Sequence, residues 1–188
     1  MGHLESGVPF FLPMNIIIKL PDSESLHLCV TCSDNVITGI DYVHGELRVD
    51  HEPGQSSAQS IADDNDFGKK IQDEFKRYFL GGRYAFSLPC QLTLGTIFQQ
   101  KVWQALLDIP AGQVTTYGAL AKQLNSSPRA VGNACRKNLF PIIVPCHRVV
   151  SASGIGGYAG DTLTQQKGNI NYLQIKQWLL VHEQANLE

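Results

Sequence analysis

The stretch Ile143-Val144-Pro145-Cys146-His147-Arg148-Val149-Val150 constrains this chain more than any other. It reads as a short apolar strand interrupted by Pro-Cys-His-Arg. Pro145 fixes its own φ and pushes Val144 towards extended geometry, so the backbone meets Cys146 in a stiff conformation. A stiff backbone holds a sulfur still, as a nucleophile requires. His147 is the type of residue that most often draws off a thiol proton, and the charge of Arg148 favours the thiolate, the attacking form. Taken alone, the dipeptide also fits a buried core pair. A free Cys on an apolar strand packs as a small hydrophobe, and strand neighbours face opposite sides. In that geometry His147 reaches Cys146 only through a bend or a bridging water.

The composition narrows the setting. A chain of 188 residues, 43% hydrophobic, suffices for one ordinary domain or two small ones. It contains no apolar run long enough to span a bilayer, and its start lacks the charged and apolar regions of a signal peptide. Met14 precedes the first strand-like run, so the residues before it read as a leader. Five cysteines without a framework pattern suit a reducing cytoplasm. Charge is uneven: residues 1–92 carry 7 Lys/Arg against 13 Asp/Glu, and residues 93–188 carry 8 against 4. Between Asp108 and Asp161 there is no acid, while Lys122, Arg129, Arg136, Lys137 and Arg148 are basic. A local basic surface of this kind fits a confined contact with phosphates, although chance imbalance alone can produce five such residues.

In the first half, Asn15–Leu20, Leu26–Ser33 and Val36–Val43 read as strands, with Ser33-Asp34-Asn35 as a turn. Leu26, Leu28, Val30 and Cys32 share a face. His51–Asp66 is polar and reads as a surface loop. A helix then runs from Asp66 to about Leu80, with Ile71, Phe75 and Phe79 at four-residue spacing, and Gly81-Gly82 ends it. Cys29 and Cys32 resemble half a metal site. Strand residues three apart face opposite sides and no second pair follows, so no metal site is expected. His3, His27, His44 and His51 read as surface or sheet residues, and this half as scaffold.

In the second half, Phe98–Leu107 is amphipathic, with Phe98, Val102 and Leu106 on one stripe. Thr115-Thr116 caps a helix from Tyr117 to about Leu124. After Asn125-Ser126, Ser127 at the N-cap and Pro128 at the first helical position start another, to about Lys137. Two short helices and a three-residue turn match a helix-turn-helix. The second has a surface of small residues, Ala130, Gly132 and Ala134, beside Arg129, Arg136 and Lys137. Such a face suits tight helix packing, and it equally suits entry into a narrow DNA groove. Ser151–Gly160 is Gly-rich around Tyr158 and can fold over a planar ligand. Asn171 to about Glu183 is the last helix; on the residues alone Glu183 reads as an exposed helix-terminal acid.

Pro145-Cys146-His147-Arg148-Val149-Val150 closely resembles the active-site signature of the O6-alkylguanine-DNA alkyltransferases, also called methylated-DNA–protein-cysteine methyltransferases. The resemblance spans about Gly95 to Glu183. It includes Gly95-Thr96-Ile97-Phe98-Gln99, Val114-Thr115-Thr116-Tyr117-Gly118, Arg129-Ala130-Val131-Gly132-Asn133 and Gly157-Tyr158. It implies that a helix-turn-helix lies against the minor groove of double-stranded DNA and that the damaged guanine is flipped into the protein. Flipping makes the alkyl carbon accessible to a rigidly held sulfur at a cost of a few kcal/mol. Cys146 then accepts the alkyl group irreversibly, once per molecule, and no cofactor is needed.

By the same resemblance Arg129 fills the vacated stack, Tyr117 assists flipping and can donate a proton to the leaving guanine, and Asn138 ties the recognition helix to the active-site segment. Leu139 stands where the family usually has Pro. Thr116, Ala130, Gly132 and Arg136 join Arg129 and Tyr117 at the DNA, while Pro141, Val149, Gly157, Tyr158 and Gly160 wall the base pocket. Glu183 holds His147 in a relay of Glu183, His147, water and Cys146, which is expected to keep the thiol pKa below its free value of ~8.5. Asp161–Gly168 reads as an inserted polar loop.

The expected fold is α+β. A ribonuclease-H-like domain over 1–92, a small antiparallel sheet with a helix, precedes a mainly helical DNA-binding and acceptor domain over 93–188. The expected state is a cytoplasmic monomer with no membrane contact. Two other classes share part of the pattern. A non-catalytic lesion-binding relative would lack the acceptor cysteine. A Cys-His-Glu hydrolase would need an oxyanion-hole motif and would turn over.

Overall fold

Asp34 and Asn35 both take left-handed backbone, with φ of 52° and 60°. Their short polar side chains tolerate that region, and the turn it makes matches the twist of the strands on either side. It joins β2 (Leu26–Ser33) to β3 (Val36–His44), and β1 (Met14–Lys19) pairs antiparallel with β2. The computed structural model describes residues 14–21, 23–45, 65–81, 83–160 and 170–184. The residues before Met14, His51 and most of the expected loop around it, Gly82, and the expected insertion Asp161–Gly168 lie outside the described residues.

Leu28, Val30 and Cys32 are buried on one sheet face, as their alternation requires. Cys32 is buried and Cys29 only half-buried, with a register shift between Thr31 and Cys32. Among the described residues no group of three His, Cys, Asp or Glu side chains can hold a metal ion.

Helix α1 (Asp66–Gly81) buries Ile71, Phe75 and Tyr78 completely, while Phe79 is half-buried. The buried stripe therefore follows the 3.6-residue period through Tyr78, rather than the strict four-residue spacing that points to Phe79. Each such side chain contributes about 1.5–3 kcal/mol of burial. After α1 the chain returns along β3. Ser87 N–H donates to the buried Glu74 carboxylate at 2.8 Å, Ile37 N–H donates to Pro89 O, and Gln91 N–H donates to Ile37 O. Ile40 N–H donates at 2.8 Å to Leu139 O, which seats the second half on the same strand.

Thr96 and Gln99 form a reciprocal capping box at the start of α2 (Ile97–Leu107). Thr116 caps α3 (Tyr117–Gln123), and Ser127 caps α4 (Pro128–Arg136) with Pro128 at the first helical position. Trp103 of α2 donates its indole N–H to Ala134 O at 3.0 Å, locking α4 in place. The last helix is α5 (Tyr172–His182). None of these helices is long and apolar enough to cross a membrane.

The segment expected to be an apolar strand differs. Residues 141–143 form a turn, with Ile142 at φ 75°, and Cys146–Arg148 form one turn of 3-10 helix. Only β5 (Val149–Val150) is extended, paired in parallel with the two-residue β4 (Thr115–Thr116). Pro145 has no N–H to give a ladder, and β4 offers only two residues to pair with. The described residues thus form a mixed α and β chain, with a three-stranded antiparallel sheet, a two-residue parallel pair and five α-helices.

Candidate active site

Cys146 opens the 3-10 turn and is 5% exposed. Asn138, just beyond α4, holds it. The Asn138 amide nitrogen donates to Val144 O at 2.7 Å and to the Cys146 sulfur at 3.1 Å, while its amide oxygen accepts from Phe140 N–H at 3.0 Å. The side chain expected to tie the helix to the active segment thus also touches the sulfur. Leu139 leaves the turn intact, since its carbonyl accepts from β3.

Behind the sulfur, His147 and Glu183 are both fully buried. Their Nε2 and Oε1 atoms are 2.9 Å apart. Arg148 Nε donates to Glu183 Oε2 and Arg148 Nη2 to Oε1, each at 2.9 Å. Tyr78 of α1 donates its hydroxyl to Oε1 at 2.8 Å. Gly112, at φ 80°, brings its N–H to 3.5 Å from Oε2, and a Cβ there would lie 2.9 Å from the Glu183 carbonyl oxygen. Burial alone would raise the Glu183 pKa, but hydrogen bonds from His147 and Arg148 outweigh it and hold the carboxyl well below its ordinary range. The exposed helix-end acid that the local sequence suggests is instead an ionised hub.

This arrangement fixes the imidazole. Nε2 faces a carboxylate that can only accept, so Nε2 carries the proton and Nδ1 keeps its lone pair. Nδ1 is buried and has no hydrogen-bond partner. Burial, against the opposing pull of Glu183, lowers the His147 pKa and keeps the ring neutral. His147 makes no direct hydrogen bond to Cys146.

Two expectations are corrected. Arg148 does not serve the thiol: its guanidinium is bound by Glu183 and Ile109 O, and at 6% exposure it leaves the basic surface. The Cys146 pKa is raised, because loss of solvent outweighs the hydrogen bond from Asn138 and the charge of Lys176. The expected lowering through His147 and Glu183 is absent from the resting protein, where a neutral imidazole offers the sulfur no positive charge.

Lys176 is the cation that does act on the sulfur, and sequence reasoning missed it. It is fully buried, donates to Val149 O at 2.7 Å and Gly157 O at 3.0 Å, and sits 5.8 Å from the Tyr117 ring centre. Burial lowers its pKa to about 8, with Cys146 and Cys135 pulling the other way. The signal was a Lys inside the buried stripe Ile175, Leu179 and Leu180 of α5. Tyr78 and Cys135 were also missed. Tyr78 belongs to α1, far away in sequence, and Cys135 lies on α4 beside the acceptor cavity.

That cavity, about 280 Å³, is lined by Tyr117, Gly132, Cys135, Cys146, Gly157, Tyr158 and Gly160 among others. The Tyr117 hydroxyl donates to Gly157 O at 3.2 Å, and burial pushes its pKa far above the ordinary value. Gly160, at φ 100°, lets Arg136 pass, since a Cβ there would lie 2.9 Å from its Nε. Pro141 lines an adjoining cavity of about 160 Å³, with Cys146 on that wall too. Val149 is fully buried beneath and borders neither cavity. Arg136 of α4 is exposed at the cavity wall, while Arg129 faces solvent away from both linings, with Lys122 and Lys137 exposed nearby and Ala130 half-buried. Thr116 spends its hydroxyl on the α3 cap, accepting from Ala119 N–H at 3.0 Å.

Residues 97–185 match the family profile described as 6-O-methylguanine DNA methyltransferase, DNA binding domain. The chain is 38% identical over 129 residues to the methylated-DNA–protein-cysteine methyltransferase of Methanosarcina mazei, a match covering 67% of this chain and 74% of the relative. It is 43% identical over 116 residues to the protein of the same name from Salmonella typhimurium, covering 60% and 61%. In three dimensions it is similar to the crystal structure of Mycobacterium tuberculosis O6-methylguanine methyltransferase, with TM-score 0.65, 31% identity, and coverage of 92% and 93%. The M. tuberculosis OGT structure in complex with DNA gives TM-score 0.66 at 30% identity, covering 91% and 92%.

Proposed function

The chain belongs to the family of methylated-DNA–protein-cysteine methyltransferases, and from that premise we propose that it repairs O6-alkylguanine in double-stranded DNA by moving the alkyl group onto Cys146. The observation that carries this reading is the sulfur itself, held by Asn138 on the wall of a cavity that opens beside α4.

In this reading α3 and α4 are a helix-turn-helix lying in the minor groove. Thr116, Ala130, Gly132 and Arg136 meet the DNA, and Arg129 fills the gap left by a flipped guanine. The base enters between Tyr117, Tyr158 and the glycines 157 and 160, with Pro141 and Val149 behind. The thiol proton passes through a water to Nδ1 of His147, and the imidazolium that forms is stabilised by Glu183. The sulfur forms a bond to the alkyl carbon as that carbon leaves O6. Tyr117, kept protonated by burial, donates to the departing guanine. No cofactor is required, because sulfur is the final acceptor. The ribonuclease-H-like reading of residues 1–92, a separate acceptor domain over 93–188, the monomeric state and a cytoplasmic setting belong to the same proposal.

A thioether does not hydrolyse in water, so each molecule acts once. Mixed with excess methylated duplex, the protein is expected to remove at most one methyl group per chain. Peptide mass analysis is expected to locate it on Cys146, with Cys135 unmodified, and Cys146→Ala to bind DNA without transfer. Sustained turnover, or methyl mainly on another cysteine, rejects the proposal.

A further inference from the structure

Two consecutive residues at the C-terminal end of α5 hold one tyrosine of α1. Tyr78 is fully buried, and its hydroxyl donates to Glu183 Oε1 at 2.8 Å. Its backbone carbonyl lies 2.8 Å from His182 Nε2, and the His182 ring stacks on Trp178 with centres 4.7 Å apart. A carbonyl can only accept, so the His182 nitrogen donates. The Glu183 oxygen that takes the Tyr78 proton is also the one facing His147 Nε2 at 2.9 Å. Resting on the function proposed above, we propose that Tyr78 is a positioning residue of the alkyl-transfer relay: its hydroxyl holds Glu183 Oε1 against His147 and weakens the carboxylate's pull on that ring, which keeps the imidazole free to take the thiol proton.

The direction of the bond is fixed. The ionised carboxylate can only accept, so Tyr78 must donate. Burial and the negative charge of Glu183 push the Tyr78 pKa well above its ordinary value, so its proton stays in place. Oε1 takes donors from Tyr78, His147 and Arg148 Nη2, and Oε2 takes Arg148 Nε. Each donor draws on the same negative charge, and the hydroxyl dipole turns its positive end towards the imidazole. Both effects make an added proton on His147 less favourable. A general base must be unprotonated at rest, so this weakening is what leaves Nδ1 able to accept. With fewer donors the carboxylate would pull harder and hold the ring as imidazolium over a wider pH range.

The other groups facing this pair are accounted for. Arg148 neutralises Glu183 from the active segment and, with Lys176 of α5, disfavours charge on His147. The Gly112 N–H approaches Oε2 at 3.5 Å from the loop before β4. Tyr42 of β3, itself kept protonated by burial, adds a smaller influence on Tyr78. Phe79 and Phe86 pack on the Tyr78 ring, with centres 5.4 and 5.3 Å away, and carry no polar side-chain atom. The Tyr78 hydroxyl is thus the feature of α1 that reaches the relay.

Tyr78→Phe keeps the ring and removes the hydroxyl. Histidine nitrogen NMR of the full chain across pH is expected to show the His147 midpoint moved to higher pH. Single-turnover transfer from O6-methylguanine duplex should slow roughly two- to tenfold on the acid side, the scale of one net hydrogen bond. Phe86→Leu loosens the packing of the same ring without touching the hydroxyl. It should lower the melting temperature and leave the His147 midpoint in place. An unchanged midpoint in Tyr78→Phe overturns the proposal, and so does an equal shift in Phe86→Leu. In the wild type the Tyr78 hydroxyl proton should exchange slowly and show a nuclear Overhauser contact with the His147 Nε2 proton. Absence of that contact overturns the proposal even if Tyr78→Phe does not fold. If the wild type transfers nothing to Cys146, the assigned function fails, while the His147 midpoint still reports on Tyr78.

Discussion

The Glu183 carboxylate grips the Arg148 guanidinium with both oxygens, each contact 2.9 Å long, at a site where Glu183 is fully buried and Arg148 nearly so. Parallel two-point contact of this kind is among the stronger ion-pair geometries. It also explains why Arg148, adjacent to the reactive pair in sequence, contributes nothing to the thiolate.

Removing one partner leaves the other buried and uncompensated. Glu183→Gln is expected to destabilise the protein by about 3–5 kcal/mol in urea unfolding. Arg148→Met in the same background should recover part of that loss. No recovery would mean that the carboxylate matters chiefly to His147 and Tyr78.

Acid should weaken the fold in two stages. Burial holds His147 below its ordinary pKa of 6.5, so the unfolded chain gains a proton there before the folded one does. Glu183, despite burial, is held well below its ordinary 4.5 by His147 and Arg148. Both groups bind protons more readily when unfolded. Their stability is therefore present at neutral pH and is lost as pH falls, first below about 6.5 and then below about 4.5. Melting temperatures across pH should show both declines, and Glu183→Gln should flatten the second.

Lys176 titrates in the opposite region. Burial lowers its pKa from 10.5 to about 8, so between those values the folded chain has lost a proton that the unfolded chain keeps. Its penalty on folding is complete below pH 8 and is relieved as pH rises towards 10.5. Lys176→Met should therefore gain stability relative to the wild type near neutral pH. The same change removes a charge that favours the thiolate, so iodoacetamide labelling of Cys146 should require higher pH. A labelling profile identical to the wild type would restrict Lys176 to holding Val149 and Gly157.

Arg129 stands exposed at the start of α4 and lines neither cavity that borders the sulfur. Arg129→Ala is expected to slow transfer from duplex DNA far more than reaction with free O6-benzylguanine, which needs no flipping. Equal losses on both substrates would point to folding instead.

The sequence by itself determined the parts that depend on near neighbours. The Asp34-Asn35 turn, the Thr96–Gln99 box, Ser127 before Pro128, and the alternation from Leu26 to Cys32 all act within a few residues, and each element appears within two residues of its expected ends. The Cys146-His147 pair and Asn138 were legible through motif resemblance. The resemblance also paired Glu183 with His147, but only tertiary structure showed its carboxylate as a hub that binds Arg148 and Tyr78 as well. That outcome depends on Tyr78, 105 positions away, and Arg148, 35 positions away, arriving to satisfy its oxygens. The same holds for Lys176, whose ammonium finds carbonyls across the fold, and for Tyr42, whose hydroxyl meets Tyr158 across 116 positions. Periodicity reports which side of an element is buried. Which polar groups meet inside, and hence which way each proton and charge shifts, is set by the packing of elements against one another.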